Sequence, residues 1–383
     1  MTPNRLAALP AARPAPGASG VPDVSVVIAV YNTMPYLTAC LDSLVGQSIG
    51  PARMEVVAVD DGSTDGSGAE LRRYAEAHPG LFTLRRQANS GGPAVPTNRG
   101  TALARGRYVL YLGADDWLGP QALARLVAAA DGWDADVVVP RQVGENGRLV
   151  PQGIFARTAR EVGFTDSALA WALADTKLFR RSLLRGLHRR EDLPVHSDQP
   201  FTLEALLRAR RVSVLADYDY YHLVRRADGG NVTQRARPLE RLHGIGAVQE
   251  VVERLTAPGP QRDAIRARHF GWELPQLLQA PLFELDPAVR QRVCTGVGHL
   301  VRAYAHRELL AGLQVADRLR LVLAAQGRLA ALQGLVQYEL AHGSPPIRDG
   351  HAAYPLFRNR RLALPDWVFA EPPAARDALT PGH

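Results

Sequence analysis

The chain has 383 residues, 46% of them hydrophobic and 22% charged, with a formal net charge of +7. That length leads to two domains with core enough to fold, and the composition excludes a disordered chain. No run approaches the roughly 18 consecutive apolar residues a membrane-spanning helix needs. The two cysteines, Cys40 and Cys294, fall in separate expected domains, which excludes a disulfide framework and fits a reducing cytoplasm. Nearly all the positive charge is arginine, since Lys177 is the only lysine. A basic surface favours polyanions or an anionic membrane, so peripheral membrane association is expected. No basic stretch is interleaved with stacking aromatics, and nucleic acid is not an expected partner.

Residues 1–22 are rich in Pro, Ala and Gly and read as a disordered leader without a secretion signal. Val24–Val30 is a continuous apolar run of the kind buried on both faces of a sheet, closed by Tyr31-Asn32. An apolar-periodic helix follows over Tyr36–Val45. A second buried strand, Val56–Val59, ends in Asp60-Asp61-Gly62, and Ser63, Thr64 and Asp65 offer caps for a helix over Gly66–His78. Arg86–Pro96 is a polar loop containing Asn89, Gly91 and Gly92, which turn chemistry alone can explain. Tyr108–Leu112 is a third strand, closed by Gly113-Ala114-Asp115-Asp116. Strands separated by helices favour a parallel sheet, and open α/β sheets place ligands at the carboxyl ends of their strands. Polar and acidic clusters at three such ends therefore point to a cation and a nucleotide. The competing reading is a set of solvated or capping turn residues.

Further along, Ala122–Ala130 reads as a helix, Asp136–Pro140 and Val212–Leu215 as strands, Phe201–Arg211 as a helix, and Tyr218–Val224 as an aromatic segment before Arg225-Arg226. The composition shifts after Gly229-Gly230. Leu239–Leu255, Gln261–Leu278, Ala288–Leu310 and Val315–Leu340 then carry apolar residues at helical spacing. The expected organisation is a leader (1–22), an α/β domain (23–236), a helical domain (237–345) and a Pro-rich irregular tail (346–383). Tyr354, Phe357, Trp367 and Phe369 are candidates to dock that tail.

The ordered stretches Val-Ser-Val-Val-Ile-Ala-Val-Tyr-Asn, Val-Asp-Asp-Gly-Ser-Thr-Asp, Asn89-Ser90-Gly91-Gly92-Pro93, Thr97-Asn98, Gly106-Arg107-Tyr108 and Asp115-Asp116 resemble family 2 inverting glycosyltransferases of GT-A fold. The resemblance covers about residues 23–235. Thr-Lys-Leu-Phe-Arg, Ser-Asp-Gln-Pro-Phe-Thr and Arg-Val-Ser-Val-Leu-Ala-Asp narrow it toward bacterial enzymes that place N-acetylglucosamine on poly(ribitol phosphate) wall teichoic acid. It implies a nucleotide-diphospho-sugar transferase domain, Rossmann-like, followed by the helical domain. The donor would be a UDP-sugar, and the acceptor a cell-envelope polymer or its lipid-linked glycan precursor. Homo-oligomers would form through the carboxyl-terminal domain.

Residue by residue, the resemblance implies that Ala29, Tyr31, Asp60, Asp61, Asn89, Gly91, Gly92 and Asn98 surround the nucleotide, with Asp61 on the uracil ring. Asp115 would bind Mn²⁺ or Mg²⁺, hard cations suited to carboxylate and phosphate oxygens, and Asp116 would lie beside it. Arg225 and Arg226 would cover the diphosphate, as a guanidinium fork suits phosphate. Asp198 would be the general base, against the alternative that Ser197 or Asp198 is only a helix cap. Three positions depart from the family: Gly113 where an acid is usual, Thr97 for an arginine, and Ser197 for a glutamate. Those departures keep open a second reading, a non-catalytic sugar-nucleotide-binding or scaffold protein.

Overall fold

The computed structural model describes residues 20–355 and 364–372. The chain divides into two compact units, one running to Arg235 and the other beginning at Ala236.

In the first unit the apolar runs become strands β1 (Val24–Val30), β2 (Met54–Asp60), β3 (Phe82–Arg86), β4 (Tyr108–Tyr111), β5 (Trp117–Leu118), β6 (Val137–Pro140), β7 (Gln142–Glu145), β8 (Leu178–Arg180), β9 (Val212–Leu215) and β10 (Tyr221–Val224). Helices α1 (Tyr36–Val45), α2 (Ser67–Ala77), α3 (Ala94–Leu103), α4 (Ala122–Trp133) and α5 (Asp198–Arg208) connect them, and the short α6 (Val232–Arg235) ends the unit. The main sheet has the order β3-β2-β1-β4-β8-β6-β9. β3, β2, β1 and β4 are mutually parallel, with Val24 facing Met54 on one side and Tyr108 on the other. All seven residues of β2 are buried, as a strand covered on both faces requires.

The sheet is mixed rather than purely parallel, because β8 runs antiparallel to both β4 and β6. β8 enters after the long 141–177 excursion instead of a crossover helix, so nothing forces it into the parallel direction. β5, β10 and β7 form a separate three-stranded sheet that folds over the carboxyl end of β4. Strand order reverses at β1, where β2 and β3 lie to one side and β4 to the other. The carboxyl ends of β1 and β4 therefore flank the switch point, where doubly wound sheets bind ligands.

The second unit is helical: α7 (Pro238–Leu255), α8 (Pro260–Arg268), a π-helical turn (His269–Glu273), α9 (Leu274–Gln276), α10 (Pro281–Glu284), α11 (Pro287–Tyr304), α12 (Arg307–Ala311), α13 (Val315–Ala325) and α14 (Leu329–His342). The expected helix over Val315–Leu340 is split at Gly327, whose φ of 67° ends α13. The stretch expected to be irregular contains a small hairpin (Ile347–Arg348 with His351–Ala352) and a 3₁₀ turn (Asp366–Val368). Tyr354, Val368 and Phe369 are buried in the helical core, with Trp367 packed against it. Phe357 lies outside the described residues. No helix among the described residues is long and apolar enough to cross a membrane.

Arg318 in α13 holds that segment. It is 1% exposed. Its Nε donates to Leu310 O (2.9 Å), Nη1 to Trp367 O (2.7 Å) and Ala370 O (2.8 Å), and Nη2 to Ala311 O (2.7 Å) and Leu313 O (2.8 Å). The five N–H groups of a guanidinium are thus all used on backbone carbonyls. Arg318→Met keeps the aliphatic bulk but orphans those carbonyls. It is expected to cost about 3–5 kcal/mol of the helical unit's stability, read as a lower denaturation midpoint with early proteolysis at 364–372. An unchanged midpoint would contradict this role.

Candidate active site

Asp115 and Asp116 sit in the turn between β4 and β5, and the two carboxylates behave differently. Asp116 is buried. Its Oδ1 accepts from Val224 N (2.8 Å) in β10, and its Oδ2 accepts from the Tyr221 hydroxyl (3.1 Å). The same hydroxyl accepts from Gly113 N at 2.8 Å. Burial, and then the charge of Asp115, push the Asp116 carboxyl above the usual carboxylate range. Asp115 is half-buried, and burial raises its carboxyl too. Its Oδ2 accepts from Asn231 Nδ2 (2.8 Å). Two desolvated carboxylates side by side are a poor arrangement on their own and a good one for a cation.

Gly113, where the family carries an acid, has a local explanation. A Cβ there would lie 2.5 Å from Asp116 Oδ2 and 3.2 Å from Asp115 Oδ1. The space a side chain would need is filled by the acid pair itself.

A polar chain ties this turn to the ends of the neighbouring strands. Asn231, which holds Asp115, accepts at Oδ1 from Arg226 N (2.9 Å). The Arg226 side chain donates from Nη2 to Asn32 O (3.1 Å), just after β1, and lies over the Tyr36 ring at 5.2 Å. Asn32 adopts a φ of 46°, accepts at Oδ1 from Thr64 N (2.8 Å) and donates its N–H to Ser63 Oγ (3.1 Å) beyond β2. The ends of β1, β2 and β4 and the segment after β10 are thereby one hydrogen-bonded unit. Arg226 is buried, paired with Asp228 (2.7 Å), whereas Arg225 is exposed.

Other expected residues find their places around this unit. Asp61 is buried, and its Oδ2 accepts from Ser90 N (3.0 Å) and Ser90 Oγ (2.9 Å), with Gln87 Nε2 on Oδ1. Asp60 accepts from Ser63 N (2.9 Å) and faces Arg86 at 3.4 Å, so it shapes the turn. Gly62 has a φ of 81°, and a Cβ there would meet Asn89 N at 2.8 Å, so only glycine lets the 87–90 loop lie across the strand end. Asn89 caps Gly91 N (2.9 Å), and Gly92 packs so closely on Pro194 that a Cβ would lie 3.2 Å from its carbonyl oxygen. Ala29 is half-buried on β1 and Tyr31 is exposed. Asn98 turns elsewhere: it brackets the Arg189 backbone, donating to its carbonyl and accepting from its N–H, both at 2.9 Å.

Asp198 is the first residue of α5, with Ser197 at the N-cap and no side-chain cap bond from Ser197 among the described residues. His196, at a φ of 59°, turns the chain into the helix. Phe201 in the first turn of α5 packs edge-on against Tyr111, the last residue of β4 (5.7 Å, 84°). The Arg189 guanidinium lies over both rings, at 3.9 and 4.1 Å, and pairs with Asp175 at 2.6 Å. That buried cation clamps the helix bearing Asp198 to the strand that ends at the acid pair. The neighbouring arginines are tied up individually in ion pairs. Arg189 is internal, Arg190 pairs with Asp192, Arg208 with Glu204, and Arg210 with Asp136.

Three participants had no sequence signal pointing to them. Asn231 is one, Tyr221 another. The third is a stacked pair, Trp117 on His222 (3.4 Å between centroids, 9°), with His222 Nδ1 2.8 Å from Glu145 Oε1. The stack depends on the antiparallel register of β5 and β10, which sets His222 opposite Trp117 and which spacing along the chain does not reveal.

Comparison with known proteins decides the family. Residues 25–184 match glycosyl transferase family 2, and residues 240–336 match the glycosyl transferase TarS linker domain. The first unit is a family 2 glycosyltransferase domain of GT-A fold. The Bacillus spizizenii poly(ribitol-phosphate) beta-glucosyltransferase is 37% identical over 238 residues, 61% of this chain and 37% of that protein. The Staphylococcus aureus poly(ribitol-phosphate) beta-N-acetylglucosaminyltransferase TarS is 37% identical over 204 residues, 53% of this chain and 35% of that protein. The chain thus matches little more than a third of the length of either curated relative. A crystal structure of S. aureus TarS 1-349 in complex with UDP-GlcNAc superposes with a TM-score of 0.76 at 26% identity, covering 86% of this chain and 95% of that one.

The geometry at Gly113 makes a prediction against the family pattern. Gly113→Asp puts a third acid where the family has one, yet its Cβ must displace Asp116 from Tyr221 and Val224. Strain of this kind costs about 1–3 kcal/mol, so a lower melting temperature is expected. An unchanged or higher melting temperature would show instead that the position accommodates the acid.

Proposed function

We propose that this protein is an inverting glycosyltransferase that moves a hexosyl or N-acetylhexosaminyl group from a UDP-sugar to a polyol-phosphate polymer of the cell envelope. The observation that carries this reading is the linked set of strand ends, Asn32, Ser63-Thr64 and Asp115, held at the switch point of the sheet by Arg226 and Asn231. The likeness to a UDP-GlcNAc complex and to two poly(ribitol-phosphate) transferases supports the donor and acceptor classes.

In this reading the uracil ring lies at the carboxyl end of β2, where the Asp61 carboxylate takes the imide proton as a hydrogen bond while keeping the Ser90 loop closed. Ala29, Tyr31, Asn89, Gly91 and Gly92 line the nucleotide. Asp115 would hold a Mn²⁺ or Mg²⁺ ion. The residues fit one: Asp115 Oδ2 is oriented by Asn231, and the acid pair is desolvated, which a cation relieves. Among the described residues no group of three His, Cys, Asp or Glu side chains could hold a metal ion. Phosphate oxygens of the donor and water would supply the remaining ligands, as is common for magnesium-type ions on phosphates. When bound, the ion supplies charge stabilisation for the departing diphosphate. Arg225, exposed beside the site, adds a guanidinium to the same oxygens, and Arg226 orders the loop that carries it.

Asp198 removes the proton from the acceptor hydroxyl as that oxygen attacks the anomeric carbon from the face opposite the diphosphate. Charge-assisted positioning through Arg189, Tyr111 and Phe201 fixes its helix. A cytoplasmic location at a membrane face, and self-association through the helical unit, belong to the same proposal, with the net charge of +7 favouring anionic surfaces and polyanionic acceptors.

Asp198→Asn tests the base. Loss of a general base costs on the order of 10²–10⁴ in rate, while asparagine preserves size and suits a helix start. Transfer is expected to fall by that factor with UDP-sugar affinity, measured by calorimetry, unchanged. A folded Asp198→Asn protein with near-normal turnover would refute the assignment. For the cation, Asp115→Asn should remove the rise in melting temperature that UDP with Mn²⁺ produces in the native protein. An equal rise in the variant would place the ion elsewhere.

A further inference from the structure

The helical unit contains a cavity of about 500 Å³ that the transfer chemistry does not use. Volumes of this order suit ligands of a few linked rings or an equivalent flexible chain. Its wall is assembled from separate elements: Arg241 on α7, Trp272 on the π turn, Gln276 on α9, Gln279 beyond it, Leu282 on α10 and Asp317 in the first turn of α13.

The π turn is what brings an indole to this wall. A π-helical turn inside an α-helical run is a recurrent mark of functional positions, because it re-aims one side chain at a cost in regular hydrogen bonding. Here it spans His269–Glu273. Its glycine fits because a Cβ at Gly271 would press on Leu313 Cδ2 at 3.2 Å, and Gly271 also lines the cavity. Arg268 pairs with Glu273 across the turn at 2.9 Å. Phe270 is fully buried, whereas the neighbouring Trp272 is 43% exposed, the most exposed of the large aromatic side chains described in this unit. A tryptophan kept in solvent at the rim of a cavity, on a distorted turn, is better suited to binding than to core packing.

The remaining lining specifies the chemistry of the ligand. An indole face and the aliphatic Leu282 accept the C–H faces of a sugar or polyol. The Gln276 and Gln279 amides match hydroxyl groups, as does Asp317 Oδ2, the carboxylate's Oδ1 being paired with Arg320 at 2.9 Å. The Arg241 guanidinium matches a phosphodiester. A purely apolar helix would make no use of these amides and charges, and a bare polyanion would not use the indole or the carboxylate.

We propose that this cavity is a second, non-catalytic site for the acceptor, holding a polyhydroxylated, phosphate-linked segment of the polymer while another segment is glycosylated. The inference rests on the acceptor class proposed above and adds a site to it. Tethering the polymer at one point converts capture of the next hydroxyl into an intramolecular event. Its benefit should therefore appear only with chains long enough to engage both units.

The test uses the full chain with Trp272→Ala, Trp272→Phe and the double variant Gln276→Ala/Gln279→Ala. For long poly(ribitol phosphate), KM is expected to rise about tenfold in Trp272→Ala and in the double variant, with kcat unchanged and partial rescue in Trp272→Phe. For a dimeric ribitol phosphate acceptor, KM should not move. Equal KM values for the long polymer in native and variant proteins would overturn the proposal. Binding is read separately in the Asp198→Asn background, without turnover, from the Trp272 indole N–H resonance. Unsubstituted polymer and sugar-substituted polymer are titrated in parallel. A shift with the unsubstituted polymer assigns the backbone as ligand, and a shift only with the substituted polymer assigns the pendant sugar. No shift with either overturns the site. A shift in this background, together with no transfer by the native protein from any UDP-sugar, would uphold the site while refuting the transferase reading.

Discussion

The site is built around one buried carboxylate. Asp116 has given up water, and its two oxygens are spent on a backbone N–H of β10 and the hydroxyl of Tyr221. Taking a carboxylate out of water is tolerated only when such partners are supplied. Supplying them forces the three-stranded sheet of β5, β10 and β7 to lie over the end of β4. Once β10 is placed there, Asn231 reaches Asp115, Arg226 reaches Asn32, and the ends of three parallel strands close into one polar unit. The exposed Arg225 is then carried to the edge of the same unit.

The fold was largely legible in the sequence because burial on both faces leaves a plain signal. The β1 residues Val24–Val30 and the core of β2 are apolar runs that stop at acidic turns, and such runs admit few alternatives. What escaped was structure whose cause lies across the chain. β3 has no fully buried residue, and β8 is three residues long, so neither offers a periodic pattern. The helix α3 starts inside a stretch whose glycines and prolines read as loop, since Pro93 and Pro96 fall at its start, where prolines are tolerated.

The candidate residues divide along the same line. Motif order located Asp61, Asp115, Asp116 and Asp198 at strand ends or a helix start. It could not show that Asn98 supports the 189–191 loop or that Arg226 is internal, because both roles depend on partners about 90 and 190 positions away. Gly113 reads as a loss when the motif is considered alone and as a steric requirement when Asp116 is seen beside it. Arginine content misled in a similar way. The surplus of positive charge suggests a basic surface, yet Arg189 and Arg318 are interior scaffolding, one against two rings and the other among carbonyls.

The proposed transfer has a single stereochemical core: the donor would be held by its diphosphate at the β1/β4 switch while Asp198 on α5 would direct attack from the opposite face. The anomeric configuration of the product tests this most directly. With an α-linked UDP-sugar and a polyol-phosphate acceptor, proton NMR of the transferred sugar should show the β-anomer alone. An α-linked product would contradict the arrangement, since it would require attack from the face that the diphosphate occupies.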